Sequence, residues 1–344
     1  MKESNKKEKH KKQTLVILDA HAIIHRAYHA LPSFTKSDGE PTGALYGVAT
    51  MTLKLIESFK PDYIVAAFDL PKPTFRHESY KAYKAGRAKA EDALVAQLQT
   101  ARELFAGFNI PVLDAEGFEA DDVIGTLVEQ YKKEKDLDII IASGDMDTMQ
   151  LIEGTKVRVF TLRKGLNDTV IYDESEVLKR FGFKPAQLVD YKGLRGDPSD
   201  NIIGVPGIGE KTATTIITTC GSIEKLYEML HKKREALLSA GITERILKLL
   251  EEHKDDALFS KTLATIRRDA PLSYTLPQET YLASVDTKQL LEVFGKYEFR
   301  SLNHRVKKIF SIEEDISPEE TNLDEALLQR VSVALWVLYS ENTT

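Results

Sequence analysis

The 344-residue chain is 42% hydrophobic and 29% charged, the balance of a soluble globular protein long enough for two compact units. Its single cysteine, Cys220, excludes an internal disulfide framework and any cysteine-based zinc site, and a net charge of −6 excludes a uniformly basic nucleic-acid coat. No apolar run approaches the ~20 residues of a membrane helix. Residues 1–12 are basic without the apolar core of a secretion signal, so a cytoplasmic protein with a disordered basic tail over residues 1–13 is expected.

Thr14-Leu-Val-Ile-Leu-Asp19 is a short apolar run closed by an acid, the form of a buried parallel strand. Residues 42–59 carry helical periodicity and stop before Lys60-Pro61. Tyr63-Ile-Val-Ala-Ala-Phe-Asp69 repeats the strand-then-acid pattern, and residues 71–87 are polar, basic and aromatic. An amphipathic helix follows at 92–108, a short strand at 110–113, and a helix at 119–133 with acids in its first turn. Leu137-Asp-Ile-Ile-Ile-Ala is another buried strand, and 156–161 with 169–172 alternate as an antiparallel pair does. This order predicts an α/β fold over 14–173, a mostly parallel central sheet flanked by helices. Ligands of such sheets sit beyond the carboxyl ends of the strands, where Asp19, Asp69 and Asp145 fall. From about residue 174 to 305 the pattern is helical. Residues 306–344 read as an acidic linker and the start of a further unit containing Trp336.

Nine carboxylates occur in five clusters: Asp19; Asp69; Glu119, Asp121 and Asp122; Asp145 and Asp147; Asp197 and Asp200. Singly, each has a structural explanation as a cap, a helix-dipole partner or a turn residue. Jointly, acids after three buried strands can converge only on positive charge, because like charges at close range repel. Hard divalent cations take such all-oxygen ligands, and two of them would need about this many. Neutralising these nine acids turns −6 into +3. A metal-dependent phosphodiesterase is the reading that follows.

The segment after Asp69 interleaves Arg76, Lys81, Lys84 and Arg87 with Tyr80 and Tyr83, cations for phosphates and rings for bases, as in a single-strand track. Asn201-Ile-Ile-Gly-Val-Pro-Gly-Ile-Gly-Glu-Lys-Thr has the form of a helix-hairpin-helix at about 200–218. There Gly207 and Gly209 free the backbone to expose amides, and Lys211 with Thr212 sits in the first turn of a helix, an arrangement suited to phosphate. Arg26, after the first strand, is placed to reach a phosphate. His21, His25 and His29 recur every four residues and suit packing or surface roles better than ligation. No Walker-type loop is present.

Leu18-Asp19-Ala with Tyr28-His-Ala-Leu, Pro41-Thr-Gly-Ala-Leu-Tyr-Gly, Phe68-Asp69 with Phe75-Arg-His-Glu, Tyr83-Lys84-Ala-Gly-Arg87, Glu119-Ala-Asp-Asp-Val-Ile-Gly-Thr-Leu, Ser143-Gly-Asp-Met-Asp147 and Gly196-Asp-Pro-Ser-Asp-Asn resemble the 5′-nuclease (flap endonuclease) family. Within it they are most similar to the N-terminal 5′→3′ exonuclease domain of bacterial DNA polymerase I. The resemblance runs from about residue 14 to 305 and implies a PIN/5′-nuclease-like sheet, a helical arch at about 71–91, and a helical domain carrying the hairpin. It implies one ion on Asp19, Asp69, Glu119 and Asp121, and a second on Asp122, Asp145, Asp147, Asp197 and Asp200, some through water. Lys84 and Arg87 would hold the scissile phosphate and Tyr83 would stack on a base. The hairpin would grip duplex DNA, with K+ on its carbonyls. Mg2+ is the expected metal, with Mn2+ able to substitute.

The expected activity is therefore structure-specific 5′→3′ exonuclease and 5′-flap endonuclease cleavage by water that a metal activates, leaving 5′-phosphate and 3′-hydroxyl ends. Expected partners are branched or nicked DNA and RNA primers on DNA, met by a monomer, with polymerase domains following in a longer chain. Two other readings share the fold: a DNA-binding module that does not cut, and a PIN-like ribonuclease.

Overall fold

Six strands, β1 (Gln13–Asp19), β2 (Tyr63–Ala67), β3 (Val112–Leu113), β4 (Leu137–Ala142), β5 (Val157–Lys164) and β6 (Asp168–Tyr172), form one sheet in the order β3-β2-β1-β4-β5-β6. The first five are parallel and β6 runs antiparallel to β5. The computed structural model describes residues 12–31, 34–87, 89–164 and 168–312. Most of the basic tail and the 313–344 segment with Trp336 lie outside the described residues.

The strands read as unbroken apolar runs because both faces are covered. Leu15, Ile17, Val65, Ile139 and Ile141 point into one core, and Val16, Leu18, Ile64, Ile140 and Ala142 into the other, the period of two expected of a pleated strand. Helices α1 (Ala20–Ala30), α2 (Gly43–Phe59) and α4 (Asp92–Gly107) cover the second face, with the one-and-a-half-turn α3 (Phe75–Ser79) between α2 and α4 in sequence. Helix α5 (Ala120–Tyr131) covers the first face and shares its core with α6 (Glu174–Phe181), α7 (Leu188–Arg195), α8 (Glu210–Cys220), α9 (Ile223–Lys232), α10 (Arg234–Ser239) and α11 (Glu244–Glu252). Helix α12 (Lys254–Ala264) packs along α7.

The end of the helical stretch behaves differently from the single 174–305 unit that periodicity suggests. After α13 (Tyr281–Ser284), helices α14 (Thr287–Lys296) and α15 (Arg300–Ile309) return to the opposite face of the sheet. There Leu290, Phe294, Leu302 and Val306 join Leu45, Phe105 and Phe108 in one core, with the Phe108 and Phe294 rings 5.6 Å apart. Periodicity marks a helix as amphipathic but does not say which apolar surface it covers. Among the described residues no helix is long and apolar enough to cross a membrane.

Candidate metal centre and nucleic-acid interface

Parallel pairing of β1 with β2 and β4 brings three strand ends to one edge, with Asp19 opposite Ala67 and Leu18 opposite Ala142. Asp19 caps α1, accepting from the Ala22 amide at 3.1 Å and from Ser143 Oγ at 2.6 Å. Asp69 accepts from the Ala120 amide at 2.7 Å, which fixes the start of α5 beside it. The Asp69 amide donates to His21 Nδ1 at 3.2 Å, which places the imidazole proton on Nε2. Burial keeps His21 below the ordinary histidine range, so it stays neutral, packed edge-on against Phe68. Asp145 accepts from the Asp147 amide at 2.8 Å at the head of a 3-10 turn (Met146–Leu151).

Electrostatics divide the acids into two sets. In the inner set, burial pushes Asp19 up to about 7 with Asp145 and Asp69 adding to it, against the hydrogen bonds from Ser143 and Ala22. Asp121 is raised well above the carboxylate range by burial and then by Asp145, Asp19 and Asp147. Burial first, and then the neighbouring acids, disfavour the charged form of both. In the outer set the chain supplies that charge. Lys84 Nζ donates to Glu119 Oε1 at 2.7 Å, Arg87 Nη2 to Asp200 Oδ1 at 2.5 Å, and the Tyr83 hydroxyl lies 3.1 Å from Glu119 Oε2 and 3.0 Å from Asp200 Oδ2. Lys192 Nζ joins Asp147 to Asp197, the latter at 2.5 Å. Asp197, which also accepts from Ser199 N and Oγ, is held low by Lys192 although burial opposes this. Asp147, more deeply buried and facing Asp145, rises to about 7 despite Lys192.

Three expected roles do not fit this geometry. Asp122 is 0% exposed, and its carboxylate accepts four hydrogen bonds: Arg76 Nη1 and Nη2, the Glu119 amide and the Arg267 amide. Its lone pairs are committed, so it braces the site and does not ligate a metal. Arg76 is 2% exposed and spends its five donors on Asp122, Glu119 and the carbonyls of Leu263 and Thr265, so it is a structural cation and does not contact DNA. Tyr83 is 3% exposed, with His77 edge-on at 5.2 Å, and has no free face on which a base could stack.

The segment expected as an arch is folded down over the carboxylates. Lys84 takes a left-handed backbone (φ 55°) and its amide donates to the Asp200 carbonyl at 2.9 Å, while Asn201 Nδ2 donates to the Ala82 carbonyl at 2.7 Å. Tyr80 meets Phe259 of α12 edge-on at 5.9 Å, and Lys81 is exposed. Arg26 lies by the Ser143–Asp145 turn, where a Cβ on Gly144 would come 3.7 Å from its Cδ.

The hairpin joins α7 to α8. Its ends are clamped by Gly196 and Gly204, both at positive φ, where a Cβ on Gly204 would stand 2.2 Å from the Gly196 nitrogen. Gly207, Gly209 and Lys211 are exposed, Thr212 is half-buried, and Gly209 is the N-cap of α8. The free amides at that helix start therefore face solvent.

A divalent ion suits the inner acids: the donors are hard oxygens, and their mutual repulsion is what such an ion relieves. Among the described residues the acids do not close into a formed ligand cage, since in the outer set lysine and arginine side chains stand between them. Lys192 and Ser143 were given no role from the sequence. A lysine one helical turn before Asp197 is the only local signal, and it does not reveal Asp147 as the second partner.

A parallel sheet with acids at its strand ends, joined to a helical hairpin unit, defines a nuclease-type fold. Residues 14–182 match the 5'-3' exonuclease N-terminal resolvase-like domain and residues 183–288 the 5'-3' exonuclease C-terminal SAM fold; the chain belongs to the 5'-3' exonuclease family. DNA polymerase I of Bacillus subtilis is 37% identical over 313 residues, covering 91% of this chain and 34% of that protein. The chain thus spans about a third of the length of the curated relatives it matches. Among solved structures, the T5 5'-exonuclease with divalent metal ions (zinc) bound superposes with a TM-score of 0.58 at 21% identity, over 88% of this chain and 100% of that one. The catalytic core of Rad2 in complex with DNA substrate gives 0.51 at 15% identity, over 87% and 92%. Both share the fold.

Proposed function

We propose that this chain is a structure-specific 5′→3′ exonuclease and 5′-flap endonuclease. Its substrates are branched or nicked DNA and RNA primers annealed to DNA, handled in the bacterial cytoplasm during primer removal and repair. The observation that carries this reading is the carboxylate cluster at the strand ends, where burial and neighbouring acids raise Asp19 and Asp121 above the ordinary carboxylate range. Asp19, Asp69, Glu119, Asp121 and Asp145 would hold one Mg2+ or Mn2+, and Asp147, Asp197 and Asp200 a second. When bound, such ions lower the pKa of water and stabilise a leaving oxyanion.

The chain's own groups do the rest. Lys84 and Arg87, now paired with Glu119 and Asp200, are positioned to pass their charge to a scissile phosphate once those acids are neutralised. Arg26, by the Ser143–Asp145 turn, and the exposed Lys81 would add to the cationic path. The exposed backbone at Gly207 and Gly209 and the first turn of α8, with Lys211 and Thr212, hold the duplex backbone without reading sequence, and K+ on the hairpin carbonyls would assist.

The direct test compares a 5′-flap duplex, a nicked RNA–DNA strand and free single-stranded RNA, with Asp69→Asn and Asp145→Asn as controls. The wild type should cut the first two in Mg2+, and each variant should lose most cleavage yet still bind flap DNA. Near-wild-type turnover by either variant refutes the assignment.

A further inference from the structure

Lys192 points inward from α7. Its ammonium lies between Asp147, on the 3-10 turn after β4, and Asp197, at the start of the hairpin loop, and all three side chains are at most 16% exposed. A lysine ammonium is a compact, strongly hydrated charge that is buried only where acids compensate it. The other cleft acids separate by the same criterion. Glu119 and Asp200 are met by Lys84 and Arg87, whereas Asp19 and Asp121 are crowded chiefly by further acids. Lysine and arginine side chains thus pair directly with the outer acids Asp147, Asp197, Glu119 and Asp200.

We infer that Lys192 is the resident cation of the outer metal position. Its ammonium holds Asp147 and Asp197 together in the resting protein, and a second divalent ion binds them only by displacing it. The inference rests on the metal-dependent reading above. An ammonium and a divalent ion compete for the same oxygens, Asp147 Oδ1 and Asp197 Oδ2, and their charges repel at the separations that both would need. The outer site is thus weakened by the cost of expelling the lysine, while the inner site, where Lys192 makes no contact, keeps its affinity. A bound phosphate gives the expelled ammonium a new partner, so substrate and second ion favour each other's binding.

The test is a Mn2+ titration of the full chain without DNA, followed by electron paramagnetic resonance of the free ion and by calorimetry. The wild type should show one tight site and a second about tenfold or more weaker. Lys192→Gln should strengthen the second site by about tenfold with the first unchanged, and Lys192→Arg should leave it weak. If Lys192→Gln does not fold, the lysine Nζ resonance of the wild type, assigned by its absence in Lys192→Arg, gives the same information. It should stay in place through the first equivalent of Mg2+ and move with the second. An outer site equally weak in Lys192→Gln, or an Nζ resonance that moves with the first equivalent, overturns the inference. Absence of the tight inner site overturns the nuclease reading instead, so the two failures are distinct.

Discussion

The guanidinium of Arg76 and the carboxylate of Asp122 meet through two parallel hydrogen bonds of 2.8 and 2.9 Å, with neither side chain more than 3% exposed. The same guanidinium donates to the Leu263 and Thr265 carbonyls at the end of α12 and to Glu119 at the start of α5. One side chain thus ties the folded-down segment, the sheet-covering helix and the helical half together.

Arg76→Ala should therefore destabilise the protein by about 3–5 kcal/mol, because it leaves Asp122 buried without a counter-charge. Arg76→Lys should recover little, since a lysine has no planar fork to fill the Asp122 site. Urea denaturation measures both, and a loss under about 1 kcal/mol for Arg76→Ala would contradict the structural role given to the pair.

Asp121→Asn should act in the opposite sense. Removing one member of a set of buried acids should stabilise the metal-free protein, because burial and the neighbouring Asp145, Asp19 and Asp147 disfavour its charged form. The variant should also lose the thermal stabilisation that Mg2+ or Mn2+ gives the wild type. Thermal melts with and without metal decide it; a variant still stabilised by metal to the wild-type extent shows that Asp121 is not a ligand.

The pH dependence follows from Asp19 and Asp147, both pushed up to about 7 from the ordinary 3.8. Each binds its proton more tightly folded than unfolded, so its favourable contribution is complete below about pH 4 and is lost as pH rises through about 7. The melting temperature of the metal-free protein should fall across that window, and divalent metal should restore it most at the alkaline end. A metal effect that shrinks as pH rises would sink this account.

Lys84→Ala should lower flap cleavage by about 10²–10³-fold, the usual cost of one preorganised charge at a reacting phosphoryl group. Affinity for unbranched duplex should hold, because the proposed grip on duplex is the hairpin's. Single-turnover kinetics and a binding titration separate the two effects, and equal losses in both would assign Lys84 to binding alone.

The strand-then-acid pattern of β1, β2 and β4 was legible because an unbroken apolar run needs both faces covered and its terminal acid stands out against it. The hairpin was legible from its glycines. The division of labour between Asp121 and Asp122 was not. Adjacent helical residues point about 100° apart, and which of the two faces the cleft depends on Arg76 and on Arg267, whose amide is 145 positions further along the chain. Lys192 was hidden for the same reason, since its partner Asp147 is 45 positions away. The return of α14 and α15 to the sheet was illegible because both faces offer apolar surface of the same chemistry.

The close backbone contact of Gly204 with Gly196 closes a short loop between α7 and α8. Asp197 and Asp200 lie within the loop that this contact closes, and the exposed Gly207 and Gly209 follow a few residues beyond it. On the proposed nuclease reading, a phosphate held at the hairpin and a phosphate at the carboxylates would be kept apart by this short closed loop, as by a ruler laid along the DNA. On that reading the cut would fall at a set offset from the duplex edge whatever the length of the loose 5′ strand.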